Sequence, residues 1–143
     1  MTHIINSLDE ISHHYDALFV DLWGCVHNGI VAYTAAVEAL IEYRKNGGKV
    51  VLVTNSPKPR IGVEKQLLHF NVPKICYDTV ATSGDSARVA MFTGVVGKKI
   101  FFIGEPRDQL FFEPISIIKS PIKIEQVSIQ NAEGIVCTGP FDG

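Results

Sequence analysis

Two short segments of this 143-residue chain combine residue types that can bind and attack a phosphate ester. Asp21 follows the apolar run Ala17-Leu18-Phe19-Val20, and Thr54-Asn55-Ser56 follows the apolar run Val50-Val51-Leu52-Val53. A carboxylate can attack phosphorus or hold Mg²⁺, while hydroxyl and amide donors bind the non-bridging oxygens. Gly24 lets the backbone approach those oxygens closely. The residue types therefore indicate chemistry on phosphate esters.

The elements that would position these residues are strands separated by a helix. Continuous apolar runs ending at Asp21 and Thr54 predict strands covered on both faces, as in a parallel sheet. A helix capped by Thr34 and stopped by Gly47-Gly48 is predicted between them. Ligands bind at the carboxyl ends of strands in open parallel sheets, so we expect both segments at one edge. Each segment alone is typical of an ordinary turn, but together they favour a site.

The remainder of the chain continues this alternation. A capping-box pattern at Ser7–Glu10 predicts a first helix that runs to about Tyr15. The order of the elements predicts an α/β fold with a parallel sheet. The residues from Gly139 to Gly143 form a predicted turn after a strand, so we expect the chain to stop within a strand–helix unit. The other predicted elements are helices starting near Pro59 and Ser83, strands at Thr79–Ala81, Lys99–Ile103 and Gly134–Thr138, a helical piece at Arg107–Phe112, and irregular β structure at Ile115–Ile129.

The sequence around both segments resembles a known superfamily. Phe19–Gly29 resembles the first motif of the haloacid dehalogenase (HAD) superfamily of aspartate-nucleophile phosphatases, and Val51–Pro57 looks like the second motif. The Thr-Asn pair and the position of Gly29 are similar to subclass IIA, which includes nucleotide, 4-nitrophenyl and sugar-phosphate phosphatases. Ala81–Ser86 and Gly97–Gly104 resemble the passage from that branch's Rossmann-like core into its large α/β cap.

This resemblance implies a domain organisation and an activity. Residues 1–84 would form the first half of the Rossmann-like core, and residues 85–143 the beginning of the cap domain. The implied enzyme is a Mg²⁺-dependent phosphatase of small phosphomonoesters that works through an aspartyl-phosphate intermediate. The Lys and the metal-binding Asp pair that the family carries after the cap have no counterpart in these 143 residues, so we expect the chain alone to be inactive. The substrate stays open because specificity in this branch comes mostly from the cap.

The resemblance also implies individual residue roles. Asp21 would be the nucleophile and a Mg²⁺ ligand, and the backbone carbonyl of Trp23 would be a second Mg²⁺ ligand. Thr54 and Asn55, together with the backbone at Gly24, would hold the transferring phosphoryl group. Because that group is nearly all charge, positioning and electrostatics would account for most of the catalysis.

Trp23 departs from the family pattern, which has a second Asp at this place as general acid and base. An indole cannot exchange a proton with a leaving group. The alternative function is therefore a catalytically degenerate HAD-fold protein that binds a phosphorylated ligand or a partner. We expect the indole to close the loop over the core, with a stacking surface for a substrate ring as the second option. His27 is expected to be a hydrogen-bonded loop residue and is the nearest substitute for proton transfer, while Asp85 is expected to be a first-turn helix carboxylate rather than a metal ligand.

The composition excludes several classes of partner. Lys plus Arg number 13 and Asp plus Glu 15, giving a net charge of −2 and no basic excess for nucleic acid. No apolar run approaches the roughly 20 residues of a membrane span, and the first residues do not form a signal-peptide pattern. Three widely spaced cysteines exclude a disulfide framework and are typical of a reducing compartment. We expect a cytoplasmic protein that binds a small phosphorylated metabolite, and neither nucleic acid nor a membrane; a homo-oligomer is left open.

Overall fold

The structure is a computed structural model, and it describes residues 4–139. Helices and strands alternate along the chain, which confirms the α/β fold class. Three short 3₁₀ helices lie at Lys74–Cys76, Pro106–Phe112 and Ile129–Asn131. The α-helices are α1 (Asp9–Ser12), α2 (Thr34–Lys45), α3 (Arg60–His69) and α4 (Ser83–Phe92). The strands are β1 (Ala17–Asp21), β2 (Lys49–Thr54), β3 (Thr79–Thr82), β4 (Lys99–Ile103), β5 (Glu125–Gln126) and β6 (Gly134–Cys137).

The first of two compact units extends to Thr54 and also includes Gly62–Ala81. Its sheet has the strand order β1-β2-β3. β1 and β2 run parallel, with Ala17 beside Lys49 and Asp21 beside Val53. The parallel sheet predicted from the two apolar runs is therefore present.

One face of this sheet carries the core of the first unit. Val50 and Leu52 are fully buried on this face, and Leu18 and Val20 pack against the same cluster. Helices α2 and α3 cover this face with their apolar residues, and their burial supplies the main driving force for folding this unit. The buried members of the cluster are Leu22, Val26, Leu40, Tyr43, Val50, Leu52, Val63, Leu67, Phe70, Val72, Cys76, Tyr77 and Val80.

The other face of β1 differs from the sequence-based expectation. Ala17, Phe19 and Asp21 are exposed, and Phe19 reaches 77% exposure. The prediction that β1 is covered on both faces is wrong for the described residues. The helices of this unit form a single core on the side of Leu18 and Val20, and successive strand residues point to opposite faces.

The second unit comprises Asn55–Ile61 and the chain from Thr82 onward. Its sheet has the order β5-β4-β6, and both pairs of strands are parallel. Met91 and Phe92 of α4 are buried together with Phe111 of the second 3₁₀ helix. The region predicted as irregular β structure, Ile115–Ile129, contains β5 as its regular strand.

Three helix starts differ from the predicted ones. At α2 the N-cap is Tyr33, one residue before the predicted Thr34. α1 covers only Asp9–Ser12, although Glu10 Oε1 accepts the N–H groups of Asn6 at 2.8 Å and Ser7 at 3.2 Å. One half of the predicted capping box therefore forms, while Leu8 occupies the N-cap position. At α4 the cap is Thr82 rather than Ser83, because Thr82 Oγ1 accepts the N–H of Asp85 at 2.9 Å.

Two further predictions concern the turn at the last five residues and the absence of a membrane-spanning segment. Apart from Gly139, the turn predicted over the last five residues lies outside the described part of the chain. Between residues 4 and 139, no helix has the length and apolar character that a membrane crossing requires.

Candidate active site

Asp21 and Thr54 end neighbouring parallel strands. Asp21 lies beside Val53 in the register of β1 and β2, and Thr54 is the next residue toward the same edge. The carboxylate is exposed, and its Oδ1 accepts the N–H of Leu22 at 2.8 Å. This local bond fixes the side chain where the strand ends. Asn55 follows Thr54 directly in the chain and begins the second unit.

Backbone hydrogen bonds hold the loop that follows β1. The Leu22 carbonyl accepts the N–H groups of Val26 at 2.9 Å and His27 at 3.2 Å, and Gly24 N–H donates to the His27 carbonyl at 2.9 Å. The two bonds that involve His27 form a parallel bridge between Trp23 and His27. The bridge uses the carbonyls of Leu22 and His27, so the Trp23 carbonyl is outside it. Leu22 and Val26, which are buried in the core, anchor the loop.

Two glycines of this loop have the left-handed backbone conformation that glycine tolerates best. Gly24 has φ +79, and a Cβ there would meet nothing within 4 Å. Its N–H donates to the His27 carbonyl, so Gly24 offers open space beside the backbone rather than a free donor. Gly29 has φ +87, and a Cβ there would overlap the six-membered ring of Trp23. The indole therefore rests against the backbone of Gly29.

Trp23 is not part of the core. It is 68% exposed, whereas the neighbouring Leu22 is 3% exposed and Val26 is fully buried. The expectation that the indole closes the loop over the core is therefore wrong. Leu22 takes that position instead, because Leu22 and Trp23 are consecutive and their side chains diverge at the end of β1.

His27 is buried at 6% exposure in the same loop. Its Nδ1 accepts the N–H of Gly29 at 3.0 Å, and its ring lies edge-on to the Trp23 indole at a centroid distance of 6.0 Å. Burial lowers the pKa of His27 below its ordinary value of 6.5, although the negative charge of Asp21 acts in the opposite direction. A neutral imidazole that accepts at Nδ1 carries its proton on Nε2. His27 is thus the hydrogen-bonded loop residue expected from the sequence.

Gly84 positions the segment after Thr54 within the second unit. Its N–H donates to the Ser56 carbonyl at 3.1 Å, and a Cβ at this glycine would overlap the Pro57 carbonyl oxygen. Only glycine permits this close approach of α4 to the segment 55–61. Sequence reasoning missed this role; the signal was a glycine in the first turn of a predicted helix.

Both carboxylate oxygens of Asp85 accept hydrogen bonds, one of them from the same segment. Its Oδ2 accepts the Arg60 N–H at 3.1 Å, and its Oδ1 accepts from Arg88 Nη1 at 2.8 Å. Arg88 is buried and also donates to the carbonyls of Phe111 and Glu113. Asp85 lies in the first turn of α4, as the sequence predicted, and its bonds tie this helix to residues on both sides.

Two oxygen donors at the edge of the first sheet have the chemistry that Mg²⁺ prefers. They are the exposed carboxylate of Asp21 and the Trp23 carbonyl outside the bridge. Mg²⁺ takes oxygen ligands in near-octahedral geometry and usually keeps several waters, so this pair fits part of its coordination shell. Among residues 4–139, no group of three or more His, Cys, Asp or Glu side chains forms a ligand set.

A family comparison covers the residues of this site. The model of a family described as haloacid dehalogenase-like hydrolase matches residues 18–115. The match includes the whole first loop, both strand ends and Gly84. The chain belongs to the haloacid dehalogenase-like hydrolases. The superfamily and its subclass IIA, recognised from the two sequence motifs, are thereby confirmed.

A solved structure supports the same membership. The chain is similar to the crystal structure of a hydrolase of the haloacid dehalogenase-like family from Brucella suis 1330, with 38% sequence identity and a TM-score of 0.83. The match covers 97% of this chain and 48% of that chain, so this chain spans about half the length of that HAD-like hydrolase. A comparison with curated proteins gives no match.

Proposed function

We propose that the protein is a phosphoric monoester hydrolase whose nucleophile is Asp21. The observation that supports this most strongly is the parallel register that ends β1 at Asp21 and β2 at Thr54 on the same edge. An exposed carboxylate, a neighbouring hydroxyl and membership of a hydrolase family together favour phosphoryl transfer over other hydrolytic chemistry.

The proposed reaction has two steps. A carboxylate oxygen of Asp21 attacks phosphorus, the bond from phosphorus to the ester oxygen breaks, and the leaving oxygen takes a proton from solvent water to give the alcohol. Water then attacks the phosphorus of the aspartyl-phosphate, releases inorganic phosphate and restores the carboxylate. Thr54 and Asn55 donate hydrogen bonds to the non-bridging oxygens, and Gly24 leaves room for the phosphoryl group beside the backbone.

Asp21 and the Trp23 carbonyl would hold Mg²⁺ in this proposal. When bound, Mg²⁺ supplies positive charge that offsets the charge on the phosphoryl oxygens. Two donors fill only part of an octahedral shell, and waters and further protein ligands would complete it. We propose that the further protein ligands lie beyond the 143 residues, and that residues 85–143 are the beginning of a cap domain.

Activity measurements on two lengths of chain test this proposal. The 143-residue chain should hydrolyse 4-nitrophenyl phosphate negligibly, and the full-length protein should hydrolyse phosphomonoesters only when Mg²⁺ is present. Added EDTA is the control for metal dependence. Robust Mg²⁺-dependent turnover by the 143 residues alone would show that they contain further ligands. No turnover of any small phosphomonoester by the full-length protein would contradict the proposed hydrolysis.

Trp23 favours a second candidate function, a degenerate HAD-fold protein that binds a phosphorylated ligand without turnover. The Trp23→Asp variant distinguishes the two in the full-length protein because it restores the acid–base group of the family pattern. If proton transfer limits hydrolysis, the rate should rise by up to roughly 10²–10⁴-fold. Since the indole is exposed, a thermal melt should show little loss of stability. A folded variant without any gain, from a parent that binds esters and leaves them intact, favours the binding protein.

If the parent protein already hydrolyses esters well, another group supplies the proton. His27 is the first residue to replace, because its imidazole contacts the indole and is close enough to Asp21 to feel its charge. We further propose a small phosphorylated metabolite as substrate and a cytoplasmic location. The three free cysteines support the location, since they are typical of a reducing compartment, and the substrate class follows from the proposed hydrolysis.

A further inference from the structure

Trp23 combines exposure with a fixed position. Its indole is 68% exposed, yet its ring rests on the backbone of Gly29 and meets the edge of the His27 imidazole. A large aromatic surface left in water contributes little to folding, because the hydrophobic effect stabilises only the area that is removed from water. The loop thus holds a rigid aromatic face that the core does not use.

Side-chain hydrogen bonds keep the other half of the loop in one conformation. Asn28 Oδ1 accepts the N–H groups of Ile30 at 3.0 Å and Val31 at 2.9 Å, and the Asn28 N–H donates to the Val31 carbonyl. Ile30 is 79% exposed and Val31 is 45% exposed. Gly29, on whose backbone the indole rests, is therefore followed directly by two exposed apolar residues.

Trp23 is close in sequence to the proposed nucleophile. Trp23 is two residues after Asp21, and the carbonyl of the same residue is a candidate Mg²⁺ ligand. A phosphoryl group on Asp21 would carry its alcohol portion away from the carboxylate. An aromatic face at the same end of β1 as the carboxylate can contact that alcohol portion.

We propose that the Trp23 indole is a stacking platform for the alcohol portion of the substrate, and that the enzyme prefers phosphate esters whose alcohol carries a planar aromatic or heteroaromatic ring. This inference rests on the proposed phosphatase function. A planar ring stacks on indole, whereas a saturated ring of the same size presents axial hydrogens and cannot approach as closely. Because the indole is already fixed by Gly29 and His27, little conformational freedom is lost when the ring binds.

A matched pair of substrates tests this preference in the full-length protein. Benzyl phosphate and cyclohexylmethyl phosphate are esters of primary alcohols of similar size, and the saturated one is the more hydrophobic. We expect kcat/KM for benzyl phosphate to be higher by about 10-fold, the order of magnitude that aromatic stacking contributes. The Trp23→Leu variant should reduce this ratio to about one, mainly by raising KM for benzyl phosphate. The Trp23→Phe variant should retain most of the ratio. Ile75→Ala, which removes an exposed apolar side chain elsewhere in the first unit, should leave the ratio unchanged.

The outcomes separate this inference from the function on which it rests. If both esters are hydrolysed and Trp23→Leu leaves their ratio unchanged, the platform is overturned and the phosphatase stands. If neither ester is hydrolysed, the proposed phosphatase function is wrong. Tryptophan fluorescence then tests whether the Trp23 indole still binds an aromatic ring. Trp23 is the one tryptophan of this sequence, so the emission of the parent minus that of Trp23→Phe reports on this indole. Benzyl phosphate should change that emission and cyclohexylmethyl phosphate should not; an equal response to both, or none, overturns the inference.

Discussion

The two ends of the first sheet each place an aspartate beside a strand, and the two aspartates have different surroundings. At the amino end, Asp78 accepts from Arg44 Nε at 3.1 Å, Arg44 Nη2 at 3.0 Å and the Val50 N–H at 2.8 Å. Lys49 lies 3.7 Å away. At the carboxyl end, Asp21 is exposed beside the exposed Trp23. Both aspartates lie next to strand ends in the same alternation of strands and helices.

The difference between these ends separates stability from function. The partners of Asp78 join α2, β2 and the chain before β3, so its charge stabilises the fold. The surroundings of Asp21 and Trp23 leave a carboxylate and an aromatic face available to a ligand, and their contribution to folding is small. We therefore expect substitutions at the amino end to change unfolding and substitutions at the carboxyl end to change turnover.

Replacing Asp21 with Asn should have the largest effect. The amide keeps the shape of the side chain but cannot attack phosphorus, so kcat of the full-length protein should fall by about 10³-fold or more. The free energy of unfolding should change by less than about 0.5 kcal/mol, as at most surface positions. Phosphate release and urea unfolding measure the two quantities.

Asp16→Asn is the matched control, because Asp16 is an exposed aspartate at the opposite end of β1. It removes the same charge and should leave kcat unchanged. Equal losses in both variants would mean that overall charge, and not the carboxyl end of the sheet, controls activity.

Thr54→Val should give the second largest effect. It removes one hydroxyl donor from the proposed phosphoryl site while keeping the branched shape, and the loss of one such donor reduces kcat by about 10²–10³-fold. Steady-state kinetics of Thr54→Val and of Thr54→Ser, which retains the hydroxyl, measure this contribution. A Ser variant as impaired as the Val variant would exclude the hydroxyl as the important group.

Asp78→Asn should destabilise the protein without changing turnover per folded molecule. The bond from Val50 N–H and those from Arg44 lower the pKa of Asp78 below its ordinary value of 3.8. Loss of these charge-assisted bonds should cost about 1–3 kcal/mol at pH 7.

The lowered pKa of Asp78 also fixes how this cost depends on pH. A group whose pKa is lowered by folding stabilises the native state above its unfolded pKa, and this stability is lost as the pH falls through the folded pKa. The difference between parent and Asp78→Asn should thus be complete above about pH 5 and should shrink below about pH 4. Urea unfolding at pH 7 and pH 3 checks the trend, and a difference that grows on acidification would contradict it.

Comparing Gly29→Ala with Gly47→Ala separates displacement of the Trp23 indole from backbone strain. Both positions have positive φ, +87 and +93, so each alanine should cost about 1–2 kcal/mol in unfolding free energy. At Gly29 the new methyl group would also overlap the Trp23 ring, whereas at Gly47 it meets nothing within 4 Å. Tryptophan emission should therefore shift in Gly29→Ala and remain as in the parent in Gly47→Ala. A shift in both variants would mean that emission reports strain rather than the position of the indole.

Much of the fold was accessible from sequence because its determinants are local. The apolar runs before Asp21 and Thr54 predicted β1 and β2, and the order of elements predicted parallel pairing. Helix ends were less accurate. Thr82 and Ser83 are both good cap residues, and only the geometry of the turn determines that Thr82 accepts from Asp85.

The surroundings of the candidate site depended on contacts that a single sequence does not reveal. The exposure of Trp23 follows from Leu22 entering the core and from the close approach of the indole to Gly29, and both are properties of the folded loop. The tight packing of Gly84 on the Pro57 carbonyl joins residues that are far apart in sequence. Burial on both faces of β1 was wrong because an apolar run does not show which element covers each face.

Detection of a phosphorylated Asp21 tests the central claim most directly. The full-length protein with Mg²⁺ is mixed with excess 4-nitrophenyl phosphate and quenched in acid within the first turnover, and its peptides are analysed by mass spectrometry. We predict a phosphoryl group on the peptide that contains Asp21, removable by mild base and absent from Asp21→Asn. Ester hydrolysis with an unmodified Asp21, or the same labelled peptide in the Asp21→Asn protein, would contradict the account.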